Sequence, residues 1–340
     1  MRGQKRVFIL LLTLCLTVFS ISEIGIVKAD ETIFIRVDGS IEGSDNIQRM
    51  GNIYTFTDNI VNQSIVVEKD DIVVDGAGYT VQGTGVDTGI SLNGRSNVTI
   101  KDVEITNFRY GIMLMSSSNN ILVDNNAYSN TWAGIQLGYS ANNSISGNKV
   151  TNNSEDGIAL YSSSFNTIFL NSITSHNRDG VAFYSWSNNN TLYGNNITTS
   201  GSTGIRVDLS SFNTVSGNNI TDNNDGIFLW SSNHKIYNNN FINNTNDAGS
   251  FEQNTWDDGY PSGGNYWSSF NGTDSNRDGI GDTPHIIDEN NQDNHPLMNP
   301  VDITAIPEFT STITITILLA SILSLAIVYR EKLGREIENS

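Results

Sequence analysis

Residues 274–282 run Asp-Ser-Asn-Arg-Asp-Gly-Ile-Gly-Asp and carry the clearest local chemistry in the chain. Asp274, Asn276 and Asp278 alternate, Gly279 permits a sharp turn, the Ile280 carbonyl can point back into the loop, and Asp282 can bind directly or through water. This oxygen-rich spacing suits a hard cation such as Ca2+ in a structural role, pinning the C-terminal end of the fold. The twelfth position, where a helix-loop-helix hand has a bidentate Glu, is His285. A solvated Asp/Gly turn is the bland alternative.

Tyr161, Tyr184, Asp208 and Trp230 recur at similar intervals, with Arg206 and Phe228 two residues ahead of the last two. Flat aromatic faces beside a carboxylate and a guanidinium are what a sugar chain stacks on and hydrogen-bonds to. An aromatic ladder that only steadies the fold would use the same residues.

Whether these side chains share a face depends on the elements that carry them. From residue 89 to 249 one pattern returns: Gly, Ile or Val, any residue, an apolar residue, then a Ser/Asn-rich stretch. It opens at Gly89, Gly111, Gly134, Gly157, Gly180, Gly204 and Gly226, at intervals of 22 to 24 residues, and Gly249 falls where an eighth would start. Within each unit the apolar residues alternate over runs too short for helices, so each unit reads as several short strands joined by turns. Such units share a core only by stacking, which predicts an all-β fold: a single-stranded right-handed parallel β-helix of about nine or ten coils.

The polar positions keep the same phase. Asn120, Asn143, Asn166, Asn190 and Asn213 form one column that ends in His234, and Asn125, Asn148, Asn171, Asn195, Asn218 and Asn239 form a second. Asn accepts left-handed turn conformations, and its amide can bond to the same amide one coil away, so two corner ladders are expected. The phasing argues against Asn-rich disorder. It also puts the fifth residue of each unit, Asn93, Met115, Gly138, Tyr161, Tyr184, Asp208 and Trp230, on one outward column. Catalysis on such a face needs several acidic and basic groups on neighbouring coils. Of Asp156, Arg178, Arg206 and Asp208, the register places only Arg206 and Asp208 on the outward strand, which favours an ion pair over a catalytic dyad.

These repeats resemble those of NosD-like right-handed parallel β-helix proteins over roughly residues 33 to 300. The stretch Asn46-Ile47-Gln48-Arg49 with Asn52-Ile53-Tyr54 is similar to the N-terminal cap of archaeal surface members. Asn254-Thr255-Trp256-Asp257-Asp258-Gly259, Gly264-Asn265-Tyr266-Trp267, the acidic loop and His295-Pro296-Leu297-Met298 follow the order of the family's C-terminal segment. The acidic loop itself looks like the calcium loops of thrombospondin-type or dockerin repeats. The resemblance implies copper handling, but His176, His234, His285 and His295 are scattered, and Met113 and Met115 have no His or Cys in their unit. Copper is therefore not expected.

The chain divides accordingly. Residues 1–29 form a secretory signal peptide, with Arg2, Lys5 and Arg6, an apolar run and a small-residue end at Ala29. The one cysteine, Cys15, lies within it, so the mature chain has no disulfide. Residues 30–88 form the N-terminal cap and first coils, 89–253 the repeats, 254–300 the C-terminal cap with its calcium-type loop, and 301–309 a linker. Residues 310–329 are apolar and uncharged, about 30 Å as a helix, and the basic residues of the 330–340 tail place that tail in the cytoplasm. The expectation is a membrane anchor with the β-helix outside the cell. Pro307-Glu308-Phe309 resembles an archaeal C-terminal sorting signal, which leaves open a retained or a replaced helix.

The formal net charge is −18, which disfavours nucleic-acid partners. Sequons occur at Asn62, Asn97, Asn142, Asn152, Asn189, Asn196, Asn219, Asn243 and Asn271, and a subset is expected to carry glycan. The functional expectation is a non-catalytic cell-surface module of the envelope, polysaccharide-binding or structural, with polysaccharide or other envelope proteins as partners. The alternatives are a polysaccharide lyase or hydrolase and a copper-handling accessory protein.

Overall fold

The computed structural model describes residues 31–303, and all of their regular structure is β. Residues 1–30 and 304–340 fall outside them, and with them the expected signal peptide, Pro-Glu-Phe motif, anchor and tail. The described chain winds as a right-handed parallel β-helix of about nine turns. Strands from successive coils pair into three long sheets of 11, 10 and 10 strands. The coil containing Asp179–Tyr184 shows the plan: that strand lies in the first sheet, Thr191–Tyr193 in the second and Asn196–Thr198 in the third.

The alternation in the sequence becomes the core. Ile112, Ile135, Ile158, Val181, Ile205 and Ile227 are consecutive Cα partners in the first sheet, and all are fully buried. Leu122, Ile145, Ile168, Leu192, Val215 and Ile236 do the same in the second sheet. The repeat glycine precedes the first of these columns because it lies against the next coil. A Cβ on Gly157 would meet the Gly180 carbonyl oxygen at 2.5 Å and the His176 Nε2 at 2.7 Å.

The Asn columns close the corners, with two differences from the sequence reading. The ladder residues do not hold the left-handed positions; the residue before each one does. Thus Asn142 (φ 57°) precedes Asn143, and Leu170 (φ 55°) precedes Asn171. The ladder amides are instead buried. Asn171 Oδ1 accepts from the Asn148 amide N and Nδ2 at 2.9 and 3.0 Å, while its own Nδ2 donates to the Ile145 and Phe169 carbonyls and to Asn195 Oδ1. There is also a third column, Asn130, Asn153, His176, Ser200, Asn223 and Asn244, at the corner ahead of the first sheet.

Both ends are closed. At the N-terminal end, Ile41–Glu42 and Ile47–Met50 pair antiparallel with their neighbours and end the stack, as edge strands must be covered. At the C-terminal end the last strand of the first sheet, Asn246–Ser250, is two residues out of phase with the repeat spacing. Asp225 pairs with Asn246 and Phe228 with Gly249, so Asp247 occupies the repeat-glycine place and Gly249 does not start an eighth unit. Trp256 and Trp267 then plug the core, their indole N–H groups donating to Asn291 Oδ1 and Asp293 Oδ2. Asn265 extends the second ladder by accepting from Asn239.

Asn171→Ala strands several buried donors and acceptors. Chemical denaturation is expected to show a loss of about 2 to 4 kcal/mol. Asn152→Gly, at an exposed left-handed corner, is expected to stay within about 0.5 kcal/mol of the parent.

Candidate functional site

The outward face of the first sheet carries the sugar-binding candidates in register. Gly138, Tyr161, Tyr184 and Asp208 are successive Cα partners. Trp230 follows beside Asp208, its amide donating to the Val207 carbonyl at 2.8 Å. The neighbouring outward column is Gln136, Ala159, Ala182, Arg206 and Phe228.

Tyr161 and Tyr184 stack with ring centroids 4.9 Å apart and planes 29° from parallel. Arg206 donates from Nε to Asp208 Oδ2 at 3.0 Å, and its guanidinium lies 5.9 Å from the Trp230 ring centre. The other Asp208 oxygen, Oδ1, is buried and has no hydrogen-bond partner in the protein. Phe228, Trp230 and Phe251 form an aromatic cluster, with Trp230 and Phe251 4.4 Å apart and 46% and 61% exposed. Phe251 is an addition to the residues named from sequence. It lies beyond the last repeat glycine, where the register could not be carried.

A second addition is an ion cluster at the edge of this face. Arg178 forks onto Asp156, with Nε to Oδ1 at 2.9 Å and Nη2 to Oδ2 at 2.8 Å, and reaches Glu155 at 3.2 Å. Its Nη2 also donates to the Tyr184 hydroxyl, which donates to Asp179 Oδ2 at 3.0 Å. Asp156 and Asp179 are fully buried. Burial raises the Asp156 carboxyl to about 7, with Arg178 opposing the rise, and burial also raises Asp179.

From sequence, Asp156 and Arg178 are separated from the outward strand and Asp179 goes unnoticed. The available signal was the residue before the repeat glycine, which is Asp in two consecutive units, with Arg immediately before the second. The cluster bears on catalysis. A lyase or hydrolase needs an acid or base in contact with the sugar. Asp156 and Asp179 lie sealed beneath Arg178 and Tyr184 and offer no such contact.

In the acidic loop, Asp274 accepts from the Asp278 and Gly279 amides and Asp278 from the Ile280 amide, while Asn276 Nδ2 donates to Asp278. Asp282 instead accepts from Thr273 and from the amide and hydroxyl of Ser275. Ile280 bridges to Leu297, which ties the loop to the cap. Among the sequons, Asn62, Asn97, Asn142, Asn152, Asn189 and Asn243 occupy exposed left-handed corners. Asn196 and Asn271 are exposed as well, whereas Asn219 is half-buried and accepts from Asn240.

The geometry defines a parallel β-helix repeat protein with an aromatic and ionic outward strip on its first sheet. The family model described as periplasmic copper-binding protein (NosD) matches residues 31–200 and 176–272. The chain belongs to the NosD family. Comparison with curated proteins gave no match.

Similar solved structures include the periplasmic alginate epimerase AlgG, at 17% identity over 57% of this chain and 50% of that chain, TM-score 0.41. Pectate lyase Pel9A matches at 18% identity over 58% and 57%, TM-score 0.49. The alginate lyase from Paenibacillus sp. str. FPU-7 matches at 15% over 60% and 90%, TM-score 0.42. This chain spans about half the length of the epimerase. At these identities the likeness concerns the coiled architecture and carries no chemistry.

The family description raises copper, but the histidines of this chain are engaged elsewhere. His176 fills an Asn-ladder place: its Nδ1 accepts from the Asn153 amide at 3.3 Å and its Nε2 lies 3.1 Å from the Val150 carbonyl. His234 does the same in the first ladder, accepting from Asn213. Burial lowers both imidazoles to about 4. His285 stacks on Trp267, and His295 pairs with Asp257. Met113 and Met115 share the first-sheet face without an imidazole. Among the described residues no three His, Cys, Asp or Glu side chains group to hold a metal. This donor set does not fit a copper centre.

The neutral, buried His176 makes a pH prediction. Its folded-state pKa is depressed to about 4, so the unfolded chain takes up a proton between pH 6.5 and 4 that the folded chain refuses. Stability is lost as pH falls through that window, by on the order of 3 kcal/mol. His176→Asn keeps a ladder amide at this place. The difference in stability between parent and variant is expected to shift in the variant's favour as pH falls from 7 to 4, and a constant difference would refute the assignment.

Proposed function

We propose that this protein is a non-catalytic envelope module that binds polysaccharide through the outward face of the first sheet. The observation that carries the reading is the strip from the stacked Tyr161 and Tyr184, through Arg206 and Asp208, to Phe228, Trp230 and Phe251. Sugar rings stack on such aromatic faces, and the polar pair supplies hydrogen bonds between them. The sealing of Asp156 and Asp179 supports binding rather than cleavage. In this reading the module lies outside the cell, is held to the membrane through residues 310–329, and presents its exposed sequons for glycosylation. Other envelope proteins are further partners.

Retention of polysaccharides by the immobilised full chain, with product analysis for cleaved chains, tests the reading. Binding without cleavage is expected, with affinity lowered about tenfold in Tyr184→Ala and in Trp230→Ala, equivalent to about 1.4 kcal/mol each. Release of shortened chains would replace binding by lyase or hydrolase action. Absence of retention would leave a purely structural role.

The same reading assigns the 274–282 loop a structural Ca2+ ion, held by Asp274, Asn276, Asp278 and the Ile280 carbonyl, with Asp282 joining them once it leaves Thr273 and Ser275. Its support is the alternation of oxygen-bearing residues before Gly279. Calcium at a hundredfold excess over its Kd is expected to add about 2.7 kcal/mol of stability. Asp278→Ala is expected to abolish that increment, and a parent protein indifferent to calcium in a melting experiment would remove the ion from the account.

A further inference from the structure

Resting on the polysaccharide-binding reading above, we infer that the first-sheet strip selects sugar chains that carry no acid group, neutral or amine-bearing, and rejects uronates. Three observations lead there.

First, the guanidinium groups along the strip are already committed. Arg178 is forked onto Asp156 and also contacts Glu155 and Asp179 at 3.2 and 3.5 Å. Arg206 is held by Asp208 at 3.0 Å. A carboxylate on a sugar is recognised by a guanidinium fork or an ammonium with donors to spare. Arg178 would have to abandon Asp156 to receive an acid from the ligand, and Arg206, held through Nε alone, already has its charge balanced by Asp208.

Second, the charge balance of the strip is negative. Glu155, Asp156, Asp179 and Asp208 stand against Arg178 and Arg206. With Asp156 protonated, three carboxylates still face two guanidinium groups. The whole chain, at net −18, adds a field of the same sign. A polyuronate approaching Tyr161 and Tyr184 meets repulsion at both ranges, while an uncharged chain meets none and an ammonium is attracted.

Third, the unpaired polar atom at the centre of the strip is an acceptor, on a side chain that is 23% exposed and must turn slightly to present it. Asp208 Oδ1 is buried without a protein partner, between the tyrosine pair and Trp230. An ionised carboxylate accepts only, so its partner must be a donor: a sugar hydroxyl, an amide N–H or an ammonium. A buried acceptor without a partner carries a desolvation cost that such a donor relieves. From Tyr161 to Trp230 the strip crosses three coil steps, about 14 Å, enough for a short run of sugar rings.

The test compares the immobilised full chain on three oligosaccharides of matched length: a neutral glucan, a chitosan oligosaccharide and an oligogalacturonate, at low and at physiological salt. Neutral and amine-bearing chains are expected to be retained, with the uronate at least tenfold weaker and the gap narrowing as salt rises. Asp208→Asn frees Arg206 and removes one negative charge, so it is expected to narrow the gap at constant salt. Uronate retention equal to or stronger than that of the glucan would overturn the inference and leave polysaccharide binding standing. A wild-type uronate affinity that falls in Arg206→Gln would overturn it too, by showing that Arg206 receives the acid. Failure of all three sugars to bind would remove both the inference and the reading beneath it.

Discussion

Buried polar side chains, most of them Asn amides, hold the corners of the coils from Asn120 onward. A parallel β-helix turns its chain three times per coil, and each turn leaves backbone N–H and C=O groups facing the core with no strand partner. Such groups must be paired, because each one buried without a partner costs about 1 to 3 kcal/mol. Asn meets the demand from one place: Asn171 accepts from a backbone amide in the coil before it and donates to two carbonyls and to the next ladder amide. His176 and His234 substitute for Asn because a neutral imidazole also accepts from the amide one coil earlier. The remaining architecture follows. The coil length, the inward columns and the alignment of the outward face all require corners that repeat in register.

The caps obey the same constraint at the ends. The antiparallel strands at the N-terminal end consume edge groups that would otherwise pair with another chain. At the other end Asn254 and Asn265 continue the first and second ladders into the last coil, and Trp256 and Trp267 cover the core. Asn291 and Asp293 receive both indole N–H groups, and burial raises Asp293 to about 6. The tryptophan and asparagine motifs of residues 254–300 are thus a terminal plug, which explains why they follow the repeats in a set order.

The outward face is free of this constraint, so chemistry can vary there from coil to coil. On the first sheet it changes from Met113 and Met115, through the stacked tyrosines, to Arg206, Asp208 and the aromatic group at Trp230. The ion cluster around Arg178 lies where the corner meets the sheet and shares Tyr184 with the strip. It fixes the hydroxyl end of that ring, which also stacks on Tyr161.

The sequence by itself determined the class of fold, because the period-two alternation and the phase of the Asn columns are properties of neighbouring residues. It also determined the outward column from Gly138 to Trp230, since inward and outward places alternate along a strand whatever its partners are. Only the tertiary structure decided which side chains meet between coils. The third ladder was hidden because His176 and Ser200 interrupt its Asn pattern. Gly249 lost its place as a repeat start because the last coil is shorter and Asp247 pairs there instead. Arg178 found Asp156 and Glu155 because a long side chain at a corner takes its direction from the hydrogen-bonded stacking of coils. That direction cannot be read from spacing, because residues more than twenty positions apart become neighbours only once the register between coils is formed.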